Sequence, residues 1–257
     1  MPKVLKNVLS IDMDYVMAPT IQLYNDVYSL IENQGKDPRK MTYKEYWDTI
    51  EDITGVTEFL AYDEAKLQAL TDLSLKVASE IPAENIYFGR EHDSILTFLC
   101  GDINKKDELF NIFNIDHHHD IYYNDNQKAN VYRFNYAMCA NWVWYLKENK
   151  KLNLYYWIRN INSKRYPFIN GNGCMQDLND SEFRQIGNIS EVKDLMNKQF
   201  DYLFICRSDD YLPFKFQSLF SGLKTQIEQT IGKKFTVDND FYCGNDGKSR
   251  FPAGTTF

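Results

Sequence analysis

Histidine is scarce in this chain. Only four occur in 257 residues, at positions 92, 117, 118 and 119, so three of them are consecutive. With so few, that concentration is hard to attribute to core packing. Positive charge is also in short supply, with 29 Lys and Arg against 36 Asp and Glu and a formal net charge of −7. That balance argues against a nucleic-acid partner or an anionic membrane held by bulk electrostatics. No apolar run reaches the roughly 18 residues that a membrane span requires. The five cysteines (Cys100, Cys139, Cys174, Cys206 and Cys243) are odd in number and widely spaced. They do not form a disulfide framework, and reduced intracellular thiols are expected. Met1 to Leu5 lacks the apolar core of a signal peptide. A cytoplasmic protein without a membrane anchor is the expectation.

Apolar residues make up 44% of the chain and aromatics 15%, enough for a sizeable core. No internal repeat and no domain boundary is evident, so residues 1–257 are expected to form a single α/β domain. Strands are predicted over Lys6–Asp14, Asn85–Gly89, Leu109–Ile115, Leu152–Ile158 and Tyr202–Cys206. Helical periodicity covers Ile21–Asn33, pieces between Tyr43 and Ser79, Ile95–Cys100, Asn135–Glu148 and Phe214–Ile231. Residues 160–179, rich in Asn and Gly, read as a loop, and residues 236–257 as an irregular tail. Alternating strands and helices imply a three-layer α/β/α fold around a mostly parallel sheet.

In such sheets ligands gather at the carboxyl ends of the strands. The polar groups of this sequence stand there repeatedly: Asp12 and Asp14, His92, the run Asp116-His117-His118-His119-Asp120, and Asp209-Asp210. Were the strands to continue through these motifs, Asp12 and Asp14 would share one face. Asp116, His118 and Asp120 would share another, with His117 and His119 pointing away. The competing reading of the histidine run is a solvated loop. Six candidate ligands, Asp12, Asp14, His92, Asp116, His118 and Asp120, make a site rich in carboxylate oxygen with a little imidazole, which suits Mn²⁺ better than a thiolate-seeking metal, with Zn²⁺ and Fe²⁺ as the alternatives. The set is large enough for two ions about 3.5 Å apart with bridging carboxylates, an arrangement that activates water.

These pieces resemble the arginase-like ureohydrolase superfamily. Asp116-His117-His118-His119-Asp120 resembles its D-x-H-x-D motif, Ser10-Ile11-Asp12-Met13-Asp14 its S-x-D-x-D motif, and His92 in Gly89-Arg90-Glu91-His92-Asp93 the histidine of its first metal motif. Cys139-Ala140-Asn141 resembles its S-G-N segment. The order of the pieces, closed by Cys206-Arg207-Ser208, is similar to the peptide arginases, which convert arginine in a peptide to ornithine. The resemblance implies an arginase/deacetylase-like fold, two Mn²⁺ ions and hydrolysis of a guanidino group in a small molecule or a peptide. It also implies catalytic roles for Asp120 and His118, and substrate contacts from Asn141. Asp209 or Asp210 could pair with a guanidinium in fork geometry, the alternative being an ordinary turn after a strand.

The sequence departs from the pattern at two places. Val143 stands where the free-arginine enzymes carry a histidine, and Cys139 replaces a serine. Trp142 and Trp144 at this spacing read as core. Two other readings compete. Val8 to Val16 also resembles the opening of haloacid-dehalogenase-like phosphatases, with Asp12 as nucleophile, Asp14 as acid/base, Mg²⁺ as the metal and Asp209-Asp210 as the late acidic pair. That reading leaves the histidines unexplained. A non-catalytic, metal-stabilised binding protein is the third, favoured by Val143.

Overall fold

The computed structural model describes residues 3–17, 31–37, 41–55, 61–100, 107–118, 120–121, 142–160, 183–186, 195–209 and 211–237. Six strands form one sheet: β1 (Val4–Asp12), β2 (Ile86–Gly89), β3 (Glu108–Asp116), β4 (Leu152–Arg159), β5 (Phe183–Ile186) and β6 (Tyr202–Cys206). Their order is β2-β6-β1-β3-β4-β5, and every pairing between neighbours is parallel. The helices are α1 (Tyr43–Thr54), α2 (Glu64–Glu80), α3 (Ser94–Cys100), α4 (Trp142–Glu148) and α5 (Gln217–Ile231).

Side-chain alternation divides the sheet into two apolar faces. Leu9, Ile11, Phe113, Ile115, Leu203 and Ile205 face one way and are covered by Leu70, Leu73 and Val77 of α2 and Phe220, Leu223 and Ile227 of α5. Val8, Ile112, Tyr202 and Phe204 face the other way, against α3 and α4. Burial on both faces is why β1, β3 and β6 read as nearly unbroken apolar runs rather than alternating ones. The fold is three-layered α/β, as the sequence implies. Among the described residues no helix is long and apolar enough to cross a membrane.

Helix α1 begins with a capping box, Thr42 and Glu45 each accepting the other's backbone N–H, and stops at Gly55 in the left-handed region. Its apolar side, Tyr43, Tyr46, Trp47 and Ile50, forms a third small cluster with Ile31. The Trp47 indole donates to the Asp209 carbonyl at 2.9 Å, which ties this cluster to the end of β6. Gly89 matters for a different reason. A Cβ there would lie 3.0 Å from the Ser94 Cβ and from the Phe204 ring, so a larger residue would have to push one of them aside where β2 leads toward His92.

Several expectations are adjusted. The predicted strand ending at Asp14 ends at Asp12, and the region from Tyr43 to Ser79 resolves into two helices. The helix expected over 21–33 lies outside the described residues except for 31–33, which are helical. The helix expected from Asn135 is described only over Trp142–Glu148. The loop from 161 to 179 and the tail from 238 also lie outside the described residues. Strand β5 was not anticipated: it is a four-residue edge strand with two polar residues, too short to show a period.

Candidate metal centre

Strands β1 and β3 lie side by side with Ser10 opposite Asn114 and Ile11 opposite Ile115. Each ends in an aspartate, Asp12 and Asp116. In both cases the aspartate itself stops the strand. The Asp12 carboxylate accepts the Asp14 N–H at 3.1 Å and opens a 3-10 turn over Met13–Val16. The Asp116 carboxylate accepts the His118 N–H at 2.7 Å. An aspartate that bonds the backbone two residues on offers the chain an alternative to the ladder. Alternation therefore does not place Asp14, His118 and Asp120 on strand faces. Turns place them instead, and Asp120 takes a left-handed φ of 52°, a conformation that Asp tolerates better than most residues.

The turns nevertheless bring all six expected ligands together. His92 Nδ1 lies 3.3 Å from Asp12 Oδ2, 3.1 Å from Asp116 Oδ2 and 2.9 Å from Asp120 Oδ2. His118 Nδ1 lies 3.0 Å from Asp14 Oδ2 and 3.6 Å from Asp116 Oδ1. Two donor groups result, Asp12–His92–Asp116 and Asp14–Asp116–His118, each compact enough to enclose an ion. Asp116 belongs to both, offering one oxygen to each. All of these side chains are buried except His118, whose side chain is 19% exposed and rests against the Tyr211 ring at 4.3 Å.

The electrostatics are those of a crowded acidic site. Burial, followed by the charge of Asp116, raises the Asp12 carboxyl. Burial with Asp12 and Asp116 nearby pushes Asp14 well above its usual range. Burial and Asp116 together push Asp120 up to about 7. Burial opposes ionisation of Asp116 as well, but His118 and His92 on its two sides hold it well below the ordinary carboxylate value. Burial would likewise lower both histidines. For His92 the carboxylates of Asp120, Asp116 and Asp12 prevail, and for His118 those of Asp116 and Asp14, and both are held well above the imidazole value.

These residues fit divalent cations. His92 Nδ1 and Asp14 Oδ2 are buried and make no well-aligned hydrogen bond, although Asp120 Oδ2 and His118 Nδ1 lie 2.9 and 3.0 Å away, as expected of atoms that face an ion. Two divalent cations would neutralise the four carboxylates with both imidazoles uncharged, removing the cost of buried like charges. The orienting contacts are also in place. Ser10 Oγ lies 2.7 Å from His92 Nε2, which leaves Nδ1 for the cluster. Asn114 donates to Asp116 Oδ2 at 3.2 Å and to the Tyr155 hydroxyl at 2.9 Å. The Trp142 indole donates to Asp120 Oδ2 at 2.5 Å, and the Trp157 indole to the Asp116 carbonyl at 3.1 Å.

Other expected site residues stand elsewhere. His117 points away from the cluster, toward Asn160 and the Met17 carbonyl, as expected although a turn and not strand alternation directs it. Burial lowers it to about 4. Val143 is buried core. Trp142 is core as expected and also a hydrogen-bond donor to the site. Asp209, one of the two residues offered as a partner for a substrate guanidinium, is already engaged within the chain. Its carboxylate, fully buried, is enclosed by the chain's own Arg90 and Arg207, with Nε of Arg90 at 2.8 Å and Nη2 of Arg207 at 2.9 Å. It binds two guanidinium groups, both internal. Asn141, Asp210 and His119 lie outside the described residues.

Ser10 and Asn114 were legible but not read: each stands two residues before a ligand on the same strand face. Trp142 could have been found from the rule that a buried indole N–H needs an acceptor. Comparison with protein-family models, with curated proteins and with solved structures finds no match to this chain.

Proposed function

We propose that this chain is a hydrolase that holds two divalent cations, Mn²⁺ by the character of its donors, and acts on a guanidino group, with arginine in a peptide as the leading substrate class. The observation that carries the reading is Asp116, whose two oxygens are divided between the His92 group and the His118 group. The donor set, oxygen-rich with one imidazole on each side, supports Mn²⁺ over thiolate-seeking metals. A pair of ions so held supplies an activated water and offsets negative charge that develops during reaction.

In this reading Asp12, His92 and Asp116 hold one ion, and Asp14, Asp116 and His118 the other. Asp120 stands beside the first group, kept in place by Trp142, and holds a hydrogen bond or a proton at its Oδ2. His118, the most exposed donor, faces the approach of substrate together with Tyr211. Asn141 and Asp210 are the substrate contacts that this reading retains. A cytoplasmic location belongs to it as well, supported by the buried free cysteines Cys100 and Cys206. The phosphatase reading gives no role to His92 and His118, each of which stands in a buried donor group with two aspartates, and this weighs against it.

The test is metal analysis of the purified chain after reconstitution with Mn²⁺, beside Asp12→Asn and Asp116→Asn variants, followed by urea release from arginine, agmatine and arginine-containing peptides. About two Mn²⁺ per chain, lost from Asp116→Asn, together with urea from one of these substrates, is the expected result. Full metal content in Asp116→Asn would overturn the site. Two ions without urea from any guanidino compound would overturn the substrate class.

A further inference from the structure

The two donor groups are supported differently. Asp12 and Asp116 are the last residues of hydrogen-bonded strands, Asp12 paired with Cys206 of β6 and Asp116 with Arg159 of β4. The first group is therefore fixed by the sheet, with Ser10 setting the His92 ring. Asp14 and His118 lie two residues beyond those strand ends, Asp14 in the 3-10 turn over Met13–Val16 and His118 in a bend. Something other than the ladder must hold them.

Asn160, just past the end of β4 and fully buried, is placed to do this. Its Nδ2 lies 2.7 Å from the Tyr15 carbonyl, 3.2 Å from the Met17 carbonyl and 3.0 Å from His117 Nε2. It therefore grips the turn that carries Asp14 and the residue that precedes His118 with one amide group. The same two turns also meet directly, the His117 N–H reaching Asp14 Oδ1 at 3.4 Å. The orientation of the Asn160 amide is set by Lys66 of α2, whose buried ammonium donates to Oδ1 at 2.9 Å. An ammonium can only donate, so the amide oxygen must face Lys66 and the NH₂ must face the turns.

We infer that Asn160, oriented by Lys66, is the positioning residue that shapes the Asp14–Asp116–His118 ion position independently of the Asp12–His92–Asp116 position. The inference rests on the two-ion reading above. Loss of an outer contact of this kind weakens metal binding roughly 10- to 100-fold, and here the loss should fall on one ion and not on the other.

The experiment is calorimetric titration of the full chain with Mn²⁺ alone, for the wild type, Asn160→Ala and Lys66→Met, with circular dichroism to establish that each variant is folded. Lys66→Met keeps the packing of a long side chain and removes the donor to Asn160, along with an ion pair to Asp63 at 3.5 Å and a charge over the Tyr15 ring, so it serves if Asn160→Ala fails to fold. The wild type is expected to take two ions. Each variant should keep the first at unchanged affinity and bind the second at least about tenfold more weakly. Equal weakening of both ions, or no weakening of either in the folded variants, would overturn the inference alone. A wild type that does not take two ions would overturn the two-ion reading and this inference with it.

Discussion

The indole N–H of Trp142 donates to Oδ2 of Asp120, the same oxygen that lies 2.9 Å from His92 Nδ1. Asp120 stands on a left-handed turn with no strand to hold it, so the hydrogen bond from α4 determines where its carboxylate points. Trp142→Phe retains most of the buried ring and removes the donor. Affinity for the first Mn²⁺ is expected to fall about tenfold, measured by titration. Unchanged affinity would show that Asp120 is positioned without the indole.

Asp209 is the hub of a buried ion network. Its carboxylate receives Arg90 and Arg207, and Arg207 also lies over the Tyr43 ring at 4.5 Å. The arginine backbone joins in, with Ser208 N–H donating to the Arg90 carbonyl at 3.0 Å. Removing one member of a buried ion network leaves uncompensated charge and costs about 3–5 kcal/mol. Asp209→Asn should lose stability of that order in urea unfolding. A variant as stable as the wild type would show that the two arginines are satisfied without the carboxylate.

Glu228 on α5 gives a pH signature away from the metal centre. Burial raises its carboxyl, but Lys224, the Phe235 N–H and Lys234 outweigh burial and lower it to about 2. A carboxylate with a depressed folded pKa contributes stability that is present above its unfolded value, near 4.5, and is lost as pH falls toward 2. Glu228→Gln should therefore be less stable than the wild type at pH 7, with the difference closing between about pH 4.5 and 2 in denaturation midpoints. A gap that persists at pH 2 would place the loss in packing and not in charge.

The sheet and the donors were legible because strands buried on both faces leave long apolar runs, and because Asp12 and Asp116 close theirs abruptly. The order of the strands was not. Nothing local in Tyr202–Cys206 tells that β6 inserts between β2 and β1, because parallel pairing is a non-local outcome. The geometry at the strand ends was misjudged for a different reason. Asp12 and Asp116 read as ligands on a continuing strand, while their side chains also bond the following backbone and end it. Asn160 was lost in a stretch rich in Asn and Gly, where composition marks a loop but cannot single out the one amide that packs inward.

The insertion of β6 also sets an order of events during synthesis. Once β1 and β3 have paired, Asp12, Asp14, Asp116 and His118 can already meet, although β1 still has an open edge. His92 follows β2, which among the described residues pairs with β6 and not with β1. The nascent chain therefore carries a central strand with one open edge, and β2 without its pairing partner, until residues 202–206 have left the ribosome. Folding of this protein is expected to be slow, as it is for non-local parallel topologies, and truncation before β6 is expected to leave β1 as an exposed, sticky edge in place of a smaller working domain.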